Sequence, residues 1–341
     1  MSQKTSDELT LSSSSKCAVI GYGSWATAIV KLLCENEKKV GWYIRNEEVF
    51  ESVTTEGYNP KYLRDVDFDT NKLDVSNDLN DLVSRYEVII LAMPSAYLKE
   101  FMEPLTVSLK DKFVVSAIKG IVPGDYLTVV EYLNKAYELS YKRMGIITGP
   151  AHAEEVALER FSYLTVVCPD QDLAHVLGEK MESKYINVSF SKDLYGIEYA
   201  TVLKNIYAIS VGMAVGLGYG DNFLAVLISN CAREMNNFVK ESYPDARETR
   251  EAAYLGDLLV TCYSTFSRNR RLGLLMGKGF STKSALNEMT MVAEGYFAAD
   301  CIRHINENHN VDMPIADMVY GVLYRKMSAR KSMKLLTKLL K

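Results

Sequence analysis

The stretch KCAVIGYGSWA, Lys16 to Ala26, decides the fold. Its first five residues are an apolar run of strand character, and Gly21-Tyr22-Gly23 follows without a spacer. Thr27 to Cys34 has helical spacing, and a second short strand is expected at Val40 to Ile44. Strand, glycine turn, helix and strand within about 30 residues is the context in which such a turn reads as a dinucleotide fingerprint. Gly21 permits the tight turn, Gly23 leaves bare backbone for a pyrophosphate, and Ala26 takes the third position, where a small residue lets the helix pack closely. The helix N-terminus offers unpaired N–H groups and partial positive charge to the phosphates. The competing reading is a glycine turn that binds nothing, and the strands on both sides argue against it.

The rhythm continues. Glu87 to Met93, Lys112 to Ile118 and Met144 to Thr148 are further apolar strands, ending in Pro94-Ser95, Lys119-Gly120 and Gly149-Pro150. Ligands in such sheets lie outside the carboxyl ends of the strands. Lys119 is thereby placed at the mouth of a crevice, although an exposed loop lysine looks the same in sequence. After the second strand, where NAD-specific folds carry an acid, stands Arg45. Arginine can stack on adenine or accommodate a 2′-phosphate, so NAD and NADP both remain open.

After Ser191 the strand-like alternation stops and helical spacing runs to the end. The expected architecture is a Rossmann-type α/β N-terminal domain over 16–191, an all-α C-terminal domain over 192–341, and a polar, Ser-rich, disordered tail over 1–15. Ile197 to Val215 is expected to be one long helix, apolar on nearly every side and therefore buried between neighbours. Lys204 stands in its middle, which is costly unless the ammonium is paired or reaches a wet cleft. A snorkelling lysine is the bland alternative, but buried lysines commonly mark sites. Glu198 lies off its face. Gly216-Leu-Gly218-Tyr-Gly220 is expected to break the helix and bring backbone toward a ligand.

Bulk numbers exclude several classes. The chain has 341 residues, which suggests two domains, and its Lys+Arg total of 39 against Asp+Glu of 43 gives a net charge of −4. That is no footprint for nucleic acid. The 6 cysteines form no CxxC pair and the 4 histidines no ligand motif, so no metal is expected and a cytoplasmic chain fits best. No apolar run approaches the ~20 residues that span a bilayer. Against this background Ser267-Arg-Asn-Arg-Arg271 reads as a clamp for a small anion. Arg268 supplies a planar fork, Asn269 a further donor and Ser267 a helix cap, while Arg270 and Arg271 are expected to face solvent or acids. From Met318 to Lys341 there is no acidic side chain, while Arg325, Lys326, Arg330, Lys331, Lys334, Lys338 and Lys341 supply the cations and Leu335, Leu336, Leu339 and Leu340 an apolar stripe. A terminal helix packed on its own domain is the expected reading, with contact to a membrane surface as the alternative.

These blocks, in this order, resemble soluble bacterial NAD(P)-dependent glycerol-3-phosphate dehydrogenase. The carrying residues are Gly21 to Trp25, Asn59-Pro-Lys-Tyr-Leu63, Ala117-Ile-Lys-Gly120 and Gly149-Pro-Ala-His-Ala-Glu-Glu-Val156 in the first half. In the second they are Leu203-Lys-Asn205, Gly216 to Asn222, Gly256-Asp257, Ser267 to Arg271 and Val292-Ala-Glu-Gly295. The resemblance implies interconversion of dihydroxyacetone phosphate and sn-glycerol 3-phosphate with NADH or NADPH, supply of phospholipid synthesis, and a homodimer. It implies that Lys204 is the general acid/base with Lys119 beside it, and that Gly149, Ala151, Asp257, Ser267, Arg268 and Asn269 contact the phosphorylated substrate. Gly21, Gly23, Ser24, Trp25, Arg45, Lys119, Ala153, Arg268, Val292 and Glu294 match cofactor-contacting positions. Ala151 departs from the hydroxyl residue of many relatives, which removes one side-chain hydrogen bond to substrate. Two other readings stand beside this one. A dehydrogenase of another hydroxy acid leaves the Ser-Arg-Asn cluster unexplained, and a nicotinamide-sensing module without catalysis would not need both lysines.

Overall fold

Short runs rich in Val and Ile fold here as strands covered on both faces, as parallel sheets require. The computed structural model describes residues 9–244, 247–289 and 291–341. Strands β1 (Cys17–Ile20), β2 (Val40–Tyr43), β3 (Leu73–Ser76), β4 (Val88–Leu91) and β5 (Phe113–Ser116) belong to the main sheet. A small antiparallel pair follows, β6 (Ile121–Val122) and β7 (Leu127–Thr128). Strands β8 (Met144–Thr148), β9 (Ser162–Val167) and β10 (Ile186–Ser191) complete the sheet. Between them lie helices α1 (Ser24–Asn36), α2 (Glu47–Thr55), α3 (Leu79–Arg85), α4 (Leu98–Met102), α5 (Val129–Tyr137), α6 (Ala153–Ala157) and α7 (Gln171–Met181).

The sheet order is β10-β9-β8-β5-β4-β1-β2-β3. β1 lies between β2 and β4, parallel to both, so the winding reverses there and leaves a crevice at the carboxyl ends of β1 and β4. This is the expected Rossmann-type domain. One feature departs from a purely parallel sheet: β9 runs antiparallel to β8, with β10 parallel to β9. β3 and β10 have no continuous apolar run to announce them, because they are edge strands with partly exposed faces.

Two residues, Lys192 and Asp193, separate β10 from the first helix of the helical domain. Its helices are α8 (Leu194–Gly216), α9 (Asp221–Ser242), α10 (Asp257–Tyr263), α11 (Arg268–Gly277), α12 (Thr282–Asn287), α13 (Glu294–His309), α14 (Pro314–Tyr324) and α15 (Ala329–Leu336). α8 is buried along nearly its whole length, with α9, α10, α11, α13 and α14 packed around it. Its apolar circumference has no other stable place.

Glycines set the closest of these contacts. A methyl group on Gly212 of α8 would lie 2.0 Å from the Arg270 carbonyl oxygen, and one on Gly273 of α11 2.0 Å from that of Ile209. Gly216 and Gly277 meet one turn further on. The expectation that Gly216 to Gly220 approaches a ligand is corrected by this arrangement. Gly216 serves helix packing, Gly218 ends the helix at φ +88°, and Gly218 and Gly220 are exposed.

Of the expected tail, residues 1–8 lie outside the described residues. Leu9 and Leu11 rest against the core and the Ser13 carbonyl accepts from Lys180 at 2.8 Å, so the disorder expected for 1–15 does not extend over 9–15. No described helix is long and apolar enough to cross a membrane.

Candidate active site

A cleft of about 700 Å³ opens where the carboxyl ends of β1 and β4 face the helical domain. Three groups of residues build it.

The first is the glycine turn. Gly21 has φ +124°, and a Cβ there would sit 2.4 Å from the Ala92 carbonyl oxygen, so only glycine lets β1 and the end of β4 approach. A Cβ on Gly23 would meet nothing within 4 Å. That open side adjoins the N-terminus of α1, where Gly23 is the cap and no side chain among the described residues caps the free N–H groups. The turn is held from behind. Trp42 Nε1 donates to the Gly21 carbonyl at 2.7 Å, and Asn59 Nδ2 donates to the Tyr22 carbonyl and to Thr27 Oγ1, each at 2.9 Å. Ser24 and Trp25 face the cleft, and the Trp25 Nε1 donor is buried with no partner among the described residues. An uncapped helix, an open cradle and a spare indole donor fit a dinucleotide.

The second group is a pair of amines on one carboxylate. Lys204 projects from α8 and forms an ion pair with Asp257, the first residue of α10, both side chains being almost wholly buried. Lys119 Nζ lies 3.9 Å from the same Asp257 oxygen and 3.5 Å from the Gly149 carbonyl, with Trp25 beneath it at 5.4 Å. Thr148 donates to Asp257 at 3.1 Å. Burial pushes the Lys204 ammonium down to about 7; Asp257 opposes this and Lys119 adds to it. Burial alone would raise the Asp257 carboxyl, but the two ammonium groups outweigh it and hold it below its usual range. Burial also pushes His152, at the cleft wall, down to about 4, with Lys119 and Lys204 acting in the same direction, so it is neutral near pH 7.

The third group is the start of α11. Ser267 Oγ accepts from the Arg270 N–H at 3.2 Å and caps the helix. Arg268 is exposed into the cleft, with no hydrogen bond or ion pair among the described residues. Asn269 is largely committed elsewhere. Its Nδ2 donates to Asn205 Oδ1 at 2.8 Å and its Oδ1 accepts from the Gly295 N–H at 2.9 Å, which leaves one amide hydrogen for the cleft. Asn205 in turn donates to the Lys119 carbonyl at 2.7 Å, so a chain of amides ties α11, α8 and the loop after β5 into one unit. Arg271 is exposed as expected. Arg270 is not: it is half-buried, and its Nε has no partner among the described residues.

Gly23, Ser24, Trp25, Arg45, Lys119, Ala151, Ala153, Lys204, Asp257, Ser267, Arg268, Asn269, Val292 and Glu294 all line this cleft. Gly21 and Gly149 stand behind the surface. Gly149, at φ +118°, packs against the Tyr163 carbonyl and meets the cleft only through its own carbonyl. Glu294 takes hydrogen bonds from the Ser95 N–H (2.8 Å) and hydroxyl (2.5 Å), joining the two domains, and burial pushes its carboxyl up. Arg45 stacks over Phe101 at 4.4 Å and pairs with Glu100 at 2.9 Å. Sequence reasoning missed the roles of Asn59, Thr148, Ser95 and His152. The first three bond to groups far away in the chain. His152 lies within Gly149 to Val156, and only burial beside two lysines distinguishes it.

The N-terminal family model described as NAD-dependent glycerol-3-phosphate dehydrogenase matches residues 16–174, and the C-terminal one residues 193–334. A glycerol-3-phosphate dehydrogenase [NAD(P)+] of Staphylococcus carnosus is 32% identical over 324 residues, which cover 94% of this chain and 97% of that protein. Its Staphylococcus aureus counterpart is 31% identical over 321 residues, 94% of this chain and 96% of that one. The crystal structure of glycerol-3-phosphate dehydrogenase from Coxiella burnetii superposes with a TM-score of 0.87 at 26% identity, covering 96% of this chain and 99% of that one.

Proposed function

The chain belongs to the NAD-dependent glycerol-3-phosphate dehydrogenase family, and from that premise we propose that Lys204 is the general acid and base of its reaction. The enzyme interconverts dihydroxyacetone phosphate and sn-glycerol 3-phosphate. The observation that carries the assignment is a lysine buried in an apolar helix, paired with Asp257 and lining the cleft beside Lys119.

A nicotinamide dinucleotide held at the turn after β1 would supply the hydride in reduction and take it up in oxidation. The chain's own groups manage the proton and the phosphate. In reduction, Lys204 Nζ gives its proton to the carbonyl oxygen as that oxygen gains negative charge, and the ammonium of Lys119 stabilises the same charge. In oxidation the neutral amine of Lys204 takes the hydroxyl proton. Asp257 holds both amines in place and keeps Lys204 from losing its proton too readily. Arg268 grips two phosphate oxygens at once, with the N-terminus of α11 and the free amide hydrogen of Asn269 adding donors. Glycerol phosphate released in this way would supply phospholipid synthesis.

The test follows NADH absorbance with each substrate across pH. For reduction Lys204 must start protonated, so kcat/KM is expected to fall as pH rises through about 7. For oxidation it must start neutral, so kcat/KM is expected to rise through the same range. Parallel profiles in the two directions would remove Lys204 from the role. Activity on an unphosphorylated hydroxy acid, with none on dihydroxyacetone phosphate, would overturn the substrate.

Cofactor choice is expected to turn on Glu100. Its carboxylate occupies Arg45, the residue placed to meet an adenosine 2′-phosphate. Glu100→Gln should raise the ratio of kcat/KM for NADPH over NADH by roughly 1.5–5-fold, the scale of an exposed charge pair. An unchanged ratio would place the 2′ position away from Arg45.

A further inference from the structure

The last helix buries only part of itself. Ser332, Met333 and Leu336 of α15 pack on the helical domain, yet Leu335 and Leu339 are 60% and 57% exposed. At 3.6 residues per turn, Arg330, Lys331 and Lys334 of α15 share one exposed arc with Leu335 beside it, and Lys338 and Leu339 continue that exposed surface in the turn that follows the helix. A solvated face explains the cations but not the leucines.

The neighbouring surface repeats the combination. A groove of about 1020 Å³ is lined by Lys278, Lys283, Lys326 and Arg330 and, among the described residues, by no acidic side chain. Phe280 and Met327, 40% and 49% exposed, stand at its lining. None of these cations forms an ion pair with a described carboxylate. Leu286 and Tyr296 line both this groove and the candidate active-site cleft, so the two are neighbours.

We propose that this face docks on an anionic lipid bilayer, with its cations among the headgroup phosphates and Leu335, Leu339, Met327 and Phe280 at the acyl boundary. Charge selects the occupant. A second copy of the chain, related by a two-fold axis, would set cation against cation. Nucleic acid would satisfy the lysines and leave the leucines in water. An anionic bilayer takes both, because an interfacial helix gains from apolar burial and from headgroup charge together. The inference stands apart from the proposed reaction, since none of the docking side chains is assigned a part in it.

The experiment is co-sedimentation of the whole chain with phosphatidylcholine vesicles, with and without phosphatidylglycerol. Binding is expected only when phosphatidylglycerol is present, and it should weaken with added salt. The triple variant Lys331→Glu, Lys334→Glu, Lys338→Glu should lower the partition coefficient roughly 100-fold. Leu335→Ser with Leu339→Ser should lower it about 10-fold. Both variants should keep full turnover without vesicles, which separates lost docking from lost folding. Equal sedimentation with and without phosphatidylglycerol overturns the proposal, as do variants that sediment like the parent. Inorganic phosphate that abolishes binding at matched ionic strength would make this a free-anion site and sink the bilayer reading. So would a leucine variant that changes molar mass in solution, since the face would then join two chains.

Discussion

Lys204→Met is expected to lower kcat for dihydroxyacetone phosphate about 1000-fold, within the range of general acid–base assistance, while cofactor affinity changes less than about 2-fold. Methionine keeps the bulk and apolar stem of lysine and removes the proton. The glycine turn and the N-terminus of α1 lie on the other domain and do not depend on Lys204. Removing one partner of a buried ion pair costs about 3–5 kcal/mol when the other charge is stranded. Here Asp257 retains Thr148 at 3.1 Å and Lys119 at 3.9 Å, so the loss should fall below that range. The double variant Lys204→Met with Asp257→Asn separates the two effects: thermal stability should recover and turnover should not. Lys204→Arg should behave like methionine in the oxidative direction, because a guanidinium keeps its proton throughout this pH range. A methionine variant retaining a tenth of the parent's kcat would show that the proton comes from elsewhere, with Lys119 the next candidate.

Legibility of the molecule followed one rule. Features carried by neighbouring residues were readable, and features made by distant ones were not. The turn at Gly21 and Gly23, the strand that launches Lys119 and the buried helix around Lys204 all declare themselves through local pattern. The same holds for the Ser267 cap, since a capping hydroxyl bonds within its own first turn. The partner of Lys204 did not show, because Asp257 lies 53 residues on and reaches it only through packing of α10 on α8. Glu198 is the acid nearest to Lys204 along the helix. It is buried instead against the Val130 N–H, at 3.1 Å, and burial pushes its carboxyl up to about 8. The edge strands β3 and β10 are illegible for a different reason: only the first residue of each, Leu73 and Ile186, is fully buried, so neither carries the run of Val and Ile that marks an interior strand. The Gly216 to Gly220 stretch is ambiguous because a glycine that frees backbone for a ligand and one that frees it for another helix look alike in sequence. Only the position of α11 distinguishes them.

That helix crossing yields the second large effect. Gly273→Ala is expected to lower the melting temperature by about 2–12 °C, the equivalent of the 1–3 kcal/mol that overpacking a close contact costs in a domain of this size. The new methyl carbon would sit 2.0 Å from the Ile209 carbonyl oxygen, well inside contact distance, and both partners are backbone. No rotamer change relieves it; the axes of α8 and α11 must separate. Separation reaches the cleft directly, since α8 carries Lys204 and Asn205 while α11 begins with Arg268 and Asn269. The Asn269–Asn205 hydrogen bond, 2.8 Å long, spans this gap and cannot tolerate another ångström. A displacement of that size between the phosphate grip and the proton donor should cost on the order of 100-fold in kcat/KM for dihydroxyacetone phosphate. Cofactor binding, which rests on the turn after β1, should hold. Gly256→Ala is the control: its methyl would meet Pro150 at 3.5 Å, an ordinary contact, and stability should shift by less than about 1 kcal/mol. Should Gly273→Ala melt and turn over like the parent, the two helices have slack that the packing does not show. The position of Arg268 relative to Lys204 would then need another determinant.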